Sequence, residues 1–482
     1  MLYKKFIKDL GIVSLTNFAT AFRGIFIMPI ITKLLGAESY GIWIQVIVTL
    51  SLVSSVITFG LPSALVRFLP AKKDEKEIQD EVYAVIGIII LSGLILSAVL
   101  SIFSSPISVF FGGKKVIVEA LALTIVFECL NVVLLSLFRA FQEIKKYSLF
   151  FIFQVFGEVL LVSIAAISGY GISGVIWSLL IIRFINFLIM GGIIARKITI
   201  KIPKFSAAKE YLQYGLPVAF GSISYWIVDS SDKYLVGFFL GTKYVGYYAP
   251  AYTISGFLSF LYIPLSFLLP AFLAKLYDEN KMEQVKLSLE YALKCYLIIA
   301  IPAIFGISVL SKPLLLILST PEIAQHGYSV IPIIAFSTSL IGANIVFAQI
   351  IGLTKKTSIG GIIVGIAALA NLSLNFIFIP KFGIVGAALT TLAANALILI
   401  LTRHYAFKDF KFSADYRFVL KSIFASALMS VIIARFEPKG IIETLIAVVT
   451  GGFLYGILIF LLKGLSEKEI KLLKNTFLSS SQ

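Results

Sequence analysis

The sequence predicts an all-α integral membrane protein of about fourteen transmembrane helices, and three observations carry that reading. Of the 482 residues 59% are hydrophobic and 14% charged, where a soluble domain carries roughly 25% charged residues. Apolar stretches of about 20 residues, the length that crosses a bilayer, recur from Leu10 to Leu462 with short polar stretches between them. Those stretches are continuous, as over 85–102, and lack the ten-residue alternation of barrel strands, so helices are implied.

In chain order, charged and Pro/Gly-containing connections place spans near 10–32, 41–66, 82–104, 116–138, 148–168 and 172–195. The second half gives 211–240, 247–274, 290–311, 327–353, 358–379, 383–402, 417–435 and 441–462. The first span follows Lys4, Lys5 and Lys8 in the manner of a signal peptide. Its run is of spanning length and no small-residue cleavage site follows, so it is expected to remain as an uncleaved helix. With the N-terminus in the cytoplasm, that side collects 27 Lys and Arg and the opposite loops collect 7. Such a bias obeys the positive-inside rule, puts both termini in the cytoplasm and places the chain in the cell membrane. It also distributes most of the basic residues behind the net charge of +16 over loops, so nucleic acid is not expected as a partner. Cys129 and Cys295 fall inside apolar segments, so neither a disulfide framework nor a thiolate metal site is expected.

The two halves resemble each other. Leu35-Gly36 with Gly41-Ile42-Trp43 matches Leu240-Gly241 with Gly246-Tyr247-Tyr248, and Phe68-Leu69-Pro70-Ala71 matches Leu268-Leu269-Pro270-Ala271. Lys145-Lys146-Tyr147-Ser148 then matches Lys355-Lys356-Thr357-Ser358, and Gly171-Ile172-Ser173-Gly174 matches Gly383-Ile384-Val385-Gly386. All four offsets lie between 200 and 212 residues. Duplication of six helices preserves orientation, so two parallel six-helix lobes around a central cavity are expected: an N-lobe over 1–204, a C-lobe over 205–410, and two further helices with a cytoplasmic tail over 411–482.

A charge at the centre of a span costs about 2.5 to 3.5 kcal/mol on insertion scales, which makes embedded polar residues the candidates for function. Thr16, Thr20 and Arg23 share one face of the first helix, and an arginine there either suits a diphosphate through its planar fork or pairs structurally with a neighbouring acid. Ser222, Tyr225, Asp229 and Asp232 share a face of the seventh helix, where two carboxylates one turn apart can bind a cation or share a proton. Lys233 beside them either snorkels to the interface or adds positive charge to the cavity. Asn371 and Asn375 on the eleventh helix, with Thr390, Thr391 and Asn395 on the twelfth, either hydrogen-bond between helices or, with Asp229, supply oxygens to Na⁺. Glu128, Asn131, Gln154, Glu158, Arg183 and Asn186 are read chiefly as interhelical partners, a Glu158–Arg183 pair among them, with Arg183 also a candidate for the cavity. Arg67, Arg139, Lys294 and Arg403 lie near span ends, where they suit anionic head groups; Arg139 is also a candidate for substrate. Tyr252, Tyr262 and Trp226 are given a supporting role at the cavity.

An enzyme is not indicated. His326 and His404 are the only histidines, and Gly112-Gly113-Lys114-Lys115 lacks the spacing of a phosphate loop. No cofactor is expected beyond Na⁺ or H⁺ as coupling ion.

Asp232-Lys233-Tyr234-Leu235-Val236-Gly237, running into Leu240-Gly241-Thr242 and Val245-Gly246-Tyr247-Tyr248, resembles the seventh-helix signature of polysaccharide flippases. Asn375-Phe376-Ile377-Phe378-Ile379-Pro380 with Gly383-Ile384-Val385-Gly386-Ala387-Ala388 is similar to the turn between the eleventh and twelfth helices of the same family. The family is the Wzx-type oligosaccharide flippase branch of the multidrug/oligosaccharidyl-lipid/polysaccharide exporter superfamily. That resemblance implies a 12 + 2 helix arrangement, alternating access, and a polyprenyl-diphosphate-linked oligosaccharide carried to the outer leaflet for surface glycan assembly. It implies membrane lipids as partners and a polysaccharide polymerase or glycosyltransferases as candidates. It also suggests a sodium site among the seventh, eleventh and twelfth helices, for which neutral Asn375 leaves Asp229 to give the charge. A multidrug antiporter of the same superfamily, with an acidic and aromatic cavity, and a non-transporting scaffold for glycan assembly are the competing readings.

Overall fold

In the computed structural model, which describes residues 2–199 and 208–464, every long element is a helix. The boundary expected at 204/205 and the tail from 465 onward lie outside the described residues. In chain order the helices are α1 (Leu2–Ile57), α2 (Leu61–Phe68), α3 (Glu75–Ile102), α4 (Ser104–Ser108), α5 (Lys115–Ala140), α6 (Ile144–Ile167), α7 (Gly171–Lys197), α8 (Ala208–Leu240) and α9 (Thr242–Ser255). They continue as α10 (Ser259–Asp278), α11 (Met282–Val309), α12 (Ser311–Leu318), α13 (Pro321–Gly327), α14 (Val330–Leu353), α15 (Thr357–Asp409), α16 (Tyr416–Ala434) and α17 (Ile441–Leu461).

Eleven of the described segments are long and apolar enough to span a bilayer, and the chain is a multi-pass membrane protein. The expected spans 10–32 and 41–66 lie on one helix, α1, bent where Gly36 takes φ 83 and ψ 177. Spans 358–379 and 383–402 are likewise one helix, α15, bent at Gly383. Only glycine enters such backbone freely, which is why punctuation by glycine marked these points in the sequence. The second expected span ends early, at Ile57, because Phe59 and Gly60 both take positive φ before α2 begins. The helix α8 covers the seventh expected span but is not among the eleven: Ser224, Ser230, Ser231, Asp232 and Lys233 are buried while Leu216, Phe220 and Phe238 are exposed. Apolar side chains outward and polar ones inward suit lipid as the solvent. The same reversal runs along α17, where Ile442, Val449 and Phe453 are each more than 70% exposed.

Two compact units are distinguished. The first comprises residues 1–253, 318–320 and 368–387. Its centre is α5, packed by α1, α2, α3, α6 and α7, with Ile117, Val118, Leu121, Val133 and Phe138 fully buried. The helix α8 lies against α1 and α2. Here the repeated glycines meet: a Cβ on Gly41 would run into the carbonyl oxygen of Thr242, and one on Gly246 into that of Ala37. Since Ala37 and Thr242 both directly follow the positive-φ glycines Gly36 and Gly241, the contact is reciprocal between matched positions of the two halves. In the second unit, of residues 254–317, 321–367 and 388–482, α11 packs against α10, α14, α16 and α17. Leu310, Phe418, Met429 and Tyr455 belong to its core.

Candidate functional site

Two polar centres lie inside the first unit. The first joins four helices. Arg183 on α7 donates from Nη2 to Glu158 on α6 at 3.0 Å and from Nε to Glu128 on α5. Arg23 on α1 donates from Nη1 to both oxygens of the same Glu158, at 3.3 and 3.4 Å. The side chains of Glu158 and Arg183 are buried, whereas that of Arg23 keeps 26% of its surface exposed. Two bases and two acids cancel, which is the condition for holding charge at low dielectric. Asn131 donates to the backbone carbonyl of Arg183, and Asn186 to Gln154, each at 2.9 Å. Thus the expected Glu158–Arg183 pair is present, enlarged by Glu128 and by Arg23. Nη1 of Arg183 has no partner among the described residues.

Thr16, Thr20 and Arg23 lie at helical spacings of 4 and 3 on continuous α1 and so share a face, along which Thr16 is buried, Thr20 exposed and Arg23 between those extremes. Arg139 stands exposed at the end of α5, its guanidinium 5.8 Å from the Tyr147 ring centre, and is not a member of the network among the described residues.

The second centre is built on α8, and there the structure separates the two carboxylates. Asp232 is fully buried. It accepts hydrogen bonds from Tyr248 at 2.7 Å and from Tyr252, and its other oxygen takes the Lys233 backbone N–H at 2.7 Å. Lys233 does not snorkel: it is buried, with Nζ 2.6 Å from the Asp229 backbone carbonyl, 3.4 Å from Asp232 and 3.5 Å from the Tyr252 ring centre. A desolvated ammonium over a ring gains a cation–π attraction, which adds to its contacts with Asp229 and Asp232. Asp229 instead is exposed and lines a cavity of about 550 Å³ with Ser51 and Ser55 of α1 and Ser222, Tyr225, Trp226 and Ser230 of α8. Ser230 donates to its carboxylate at 2.9 Å, and no cation pairs with it among the described residues. Trp226 ties the two helices, donating to Ser51 Oγ at 2.9 Å.

On α15, Asn371 Oδ1 accepts from Asn375 at 3.0 Å and from Ser231 of α8 at 3.3 Å, so the two asparagines and the seventh expected span do meet. Thr391 is buried on the part of α15 in the second unit, where Asn395 donates to Ser337 at 2.9 Å. Ser51, Ser55 and Tyr248 were not identified as site residues from the sequence. Only Tyr248 carried a signal, lying four residues before Tyr252 and hence on its helix face.

Comparison with known proteins supports this placement in a transport fold. Residues 30–322 match the family described as polysaccharide biosynthesis protein. A Haloferax volcanii protein described as a probable low-salt glycan biosynthesis flippase, Agl15, is 25% identical over 433 residues, covering 88% of each chain. Among solved structures, the lipid II flippase MurJ in an inward closed conformation superposes with a TM-score of 0.76 at 20% identity, covering 92% of this chain and 97% of its own. An inward-facing multidrug transporter of the MATE family gives 0.68 at 14% identity, over 82% and 94%. At those identities the two structures speak for the fold. The chain belongs to the polysaccharide biosynthesis protein family.

Proposed function

We propose that the protein is a flippase that carries a polyprenyl-diphosphate-linked oligosaccharide from the cytoplasmic to the outer leaflet for glycan assembly. It crosses the membrane fourteen times with both termini in the cytoplasm, and two six-helix lobes, 1–204 and 205–410, alternate access to a cavity. The observation that carries this reading is Arg23: an embedded guanidinium, partly exposed and held by a carboxylate that Arg183 also satisfies. A diphosphate can take Arg23 while Glu158 keeps its other partner. The Asp229 cavity, with its hydroxyls and two aromatic rings, suits sugar hydroxyls or a coupling cation, Na⁺ or H⁺, with Asn371 and Asn375, which meet α8 at Ser231, as further oxygen donors. An inside-negative potential favours moving negative charge outward by roughly 2.3 kcal/mol per charge per 100 mV. The relation to a protein described as a glycan biosynthesis flippase supports the cargo class, and nothing in this cycle calls for catalysis. A polysaccharide polymerase or glycosyltransferases are its expected partners.

The test uses liposomes holding a fluorescent polyprenyl-diphosphate oligosaccharide, with a membrane-impermeant glycan probe reporting arrival outside. Wild-type protein should raise arrival and Arg23→Ala should abolish it with folding intact. The second reading, a cation-coupled drug antiporter, is favoured by the exposed carboxylate of Asp229, with which no cationic side chain pairs among the described residues. Export of cationic dyes under an ion gradient, with no glycan transport, would replace the first reading by this one.

A further inference from the structure

At the end of α15 in the second unit lies a cavity of about 720 Å³. Its rim is basic: Arg403, His404, Lys408 and Lys411 line it, and none of its described lining residues is acidic. Neighbouring acids are already engaged, Asp409 by Lys356 and Asp415 by Lys294. Arg403 is oriented by the hydroxyl of Tyr416, to which Nη2 donates at 3.0 Å. Beneath this rim the lining turns apolar, with Leu297, Phe347, Ile400 and Val419 contributed by four different helices.

We propose that this cavity binds the phosphate of an anionic membrane phospholipid on its basic rim and the lipid's hydrocarbon along its apolar wall. Three features single out that occupant. The charge is one-signed, so the ligand is an anion; the rim stands at a helix end, where head groups lie; and the apolar lining continues from it, which a free inorganic anion would not use. Basic residues near a membrane surface each contribute about fivefold to binding of anionic lipid. No residue of this cavity belongs to the Arg23 network or the Asp229 cavity, so the proposal stands apart from the cargo.

Native mass spectrometry on the full-length protein in detergent decides it, with dioleoylphosphatidylglycerol and dioleoylphosphatidylcholine as probes. One phosphatidylglycerol should be retained per chain at concentrations where phosphatidylcholine is lost. Neutralising Arg403, Lys408 and Lys411 to Gln should weaken retention on the order of a hundredfold, with the melting temperature of the lipid-free protein unchanged. If that triple variant melts early, the exposed single variants Lys408→Gln and Lys411→Gln decide, each expected to lose about fivefold. Ile400→Asn should weaken the lipid too. Equal retention of the two lipids, or an unaffected variant, overturns the proposal. So does displacement by millimolar inorganic phosphate, which would make this an anion site, or by a polyprenyl diphosphate at equal concentration, which would assign it to the cargo.

Discussion

The first helix of each half carries charge at nearly the same place and with opposite sign. Arg23 lies thirteen residues ahead of Gly36, and Asp229 twelve ahead of Gly241. The base is held in a neutral four-membered network, whereas the acid faces a cavity with one serine on its carboxylate. The two helices thus accommodate an embedded charge in two ways. A cancelled charge responds to a ligand that displaces its partner; an open one acts on any cation that enters.

Removing Glu158 should break the first accommodation most severely. Glu158→Gln leaves Glu128 to Arg183 and leaves Arg23 with no carboxylate among the described residues, and loss of one member of a buried ion pair costs about 3–5 kcal/mol; denaturation in detergent that leaves stability unchanged would refute the network's role. The crossing shared by both halves comes next. Gly41→Ala or Gly246→Ala should each cost about 1–3 kcal/mol through overpacking, read as a lowered melting temperature. A control carboxylate in water sharpens the contrast. Burial pushes the Asp415 carboxyl up, but the Phe418 N–H and Lys294 outweigh it and hold the carboxyl below its ordinary value. A group with a lowered folded pKa stabilises above its unfolded value, about 3.9, and that stability is lost as pH falls through the folded value. Asp415→Ala should therefore cost roughly 0.5–1 kcal/mol as a lost helix cap, with the difference vanishing in acid. Smallest of all is Asp229→Asn, expected to shift stability by no more than about 0.5 kcal/mol. Its effect should appear instead in the ion dependence of transport, and a large loss of stability would show that the carboxylate is structural.

Much of this was legible because lipid demands it. Continuous apolar runs located the helices, and glycines located their bends. The Glu158–Arg183 pair could be foreseen since an embedded charge needs a counter-charge. Arg23 joining the same Glu158 could not, as it lies 135 residues away and no local pattern encodes that distance. Nor could the parting of Asp229 from Asp232. Three residues along a helix leave about 60° between side chains, enough for one to meet Tyr248 and Tyr252 and the other a cavity, and only the neighbouring helices decide which. Polar content hid α8 from a purely hydropathic measure, although its burial pattern fits a bilayer.

The paired glycines have a mechanical consequence. Where Gly41 meets Thr242 and Gly246 meets Ala37, backbone rests on backbone, with Cα–H groups facing carbonyl oxygens. No rotamer is available there to absorb a shift in spacing. With two such contacts four residues apart on each segment, a change of spacing or of crossing angle alters at least one of them, so the pair of glycines fixes both at once, as two rivets hold a joint that one would let turn.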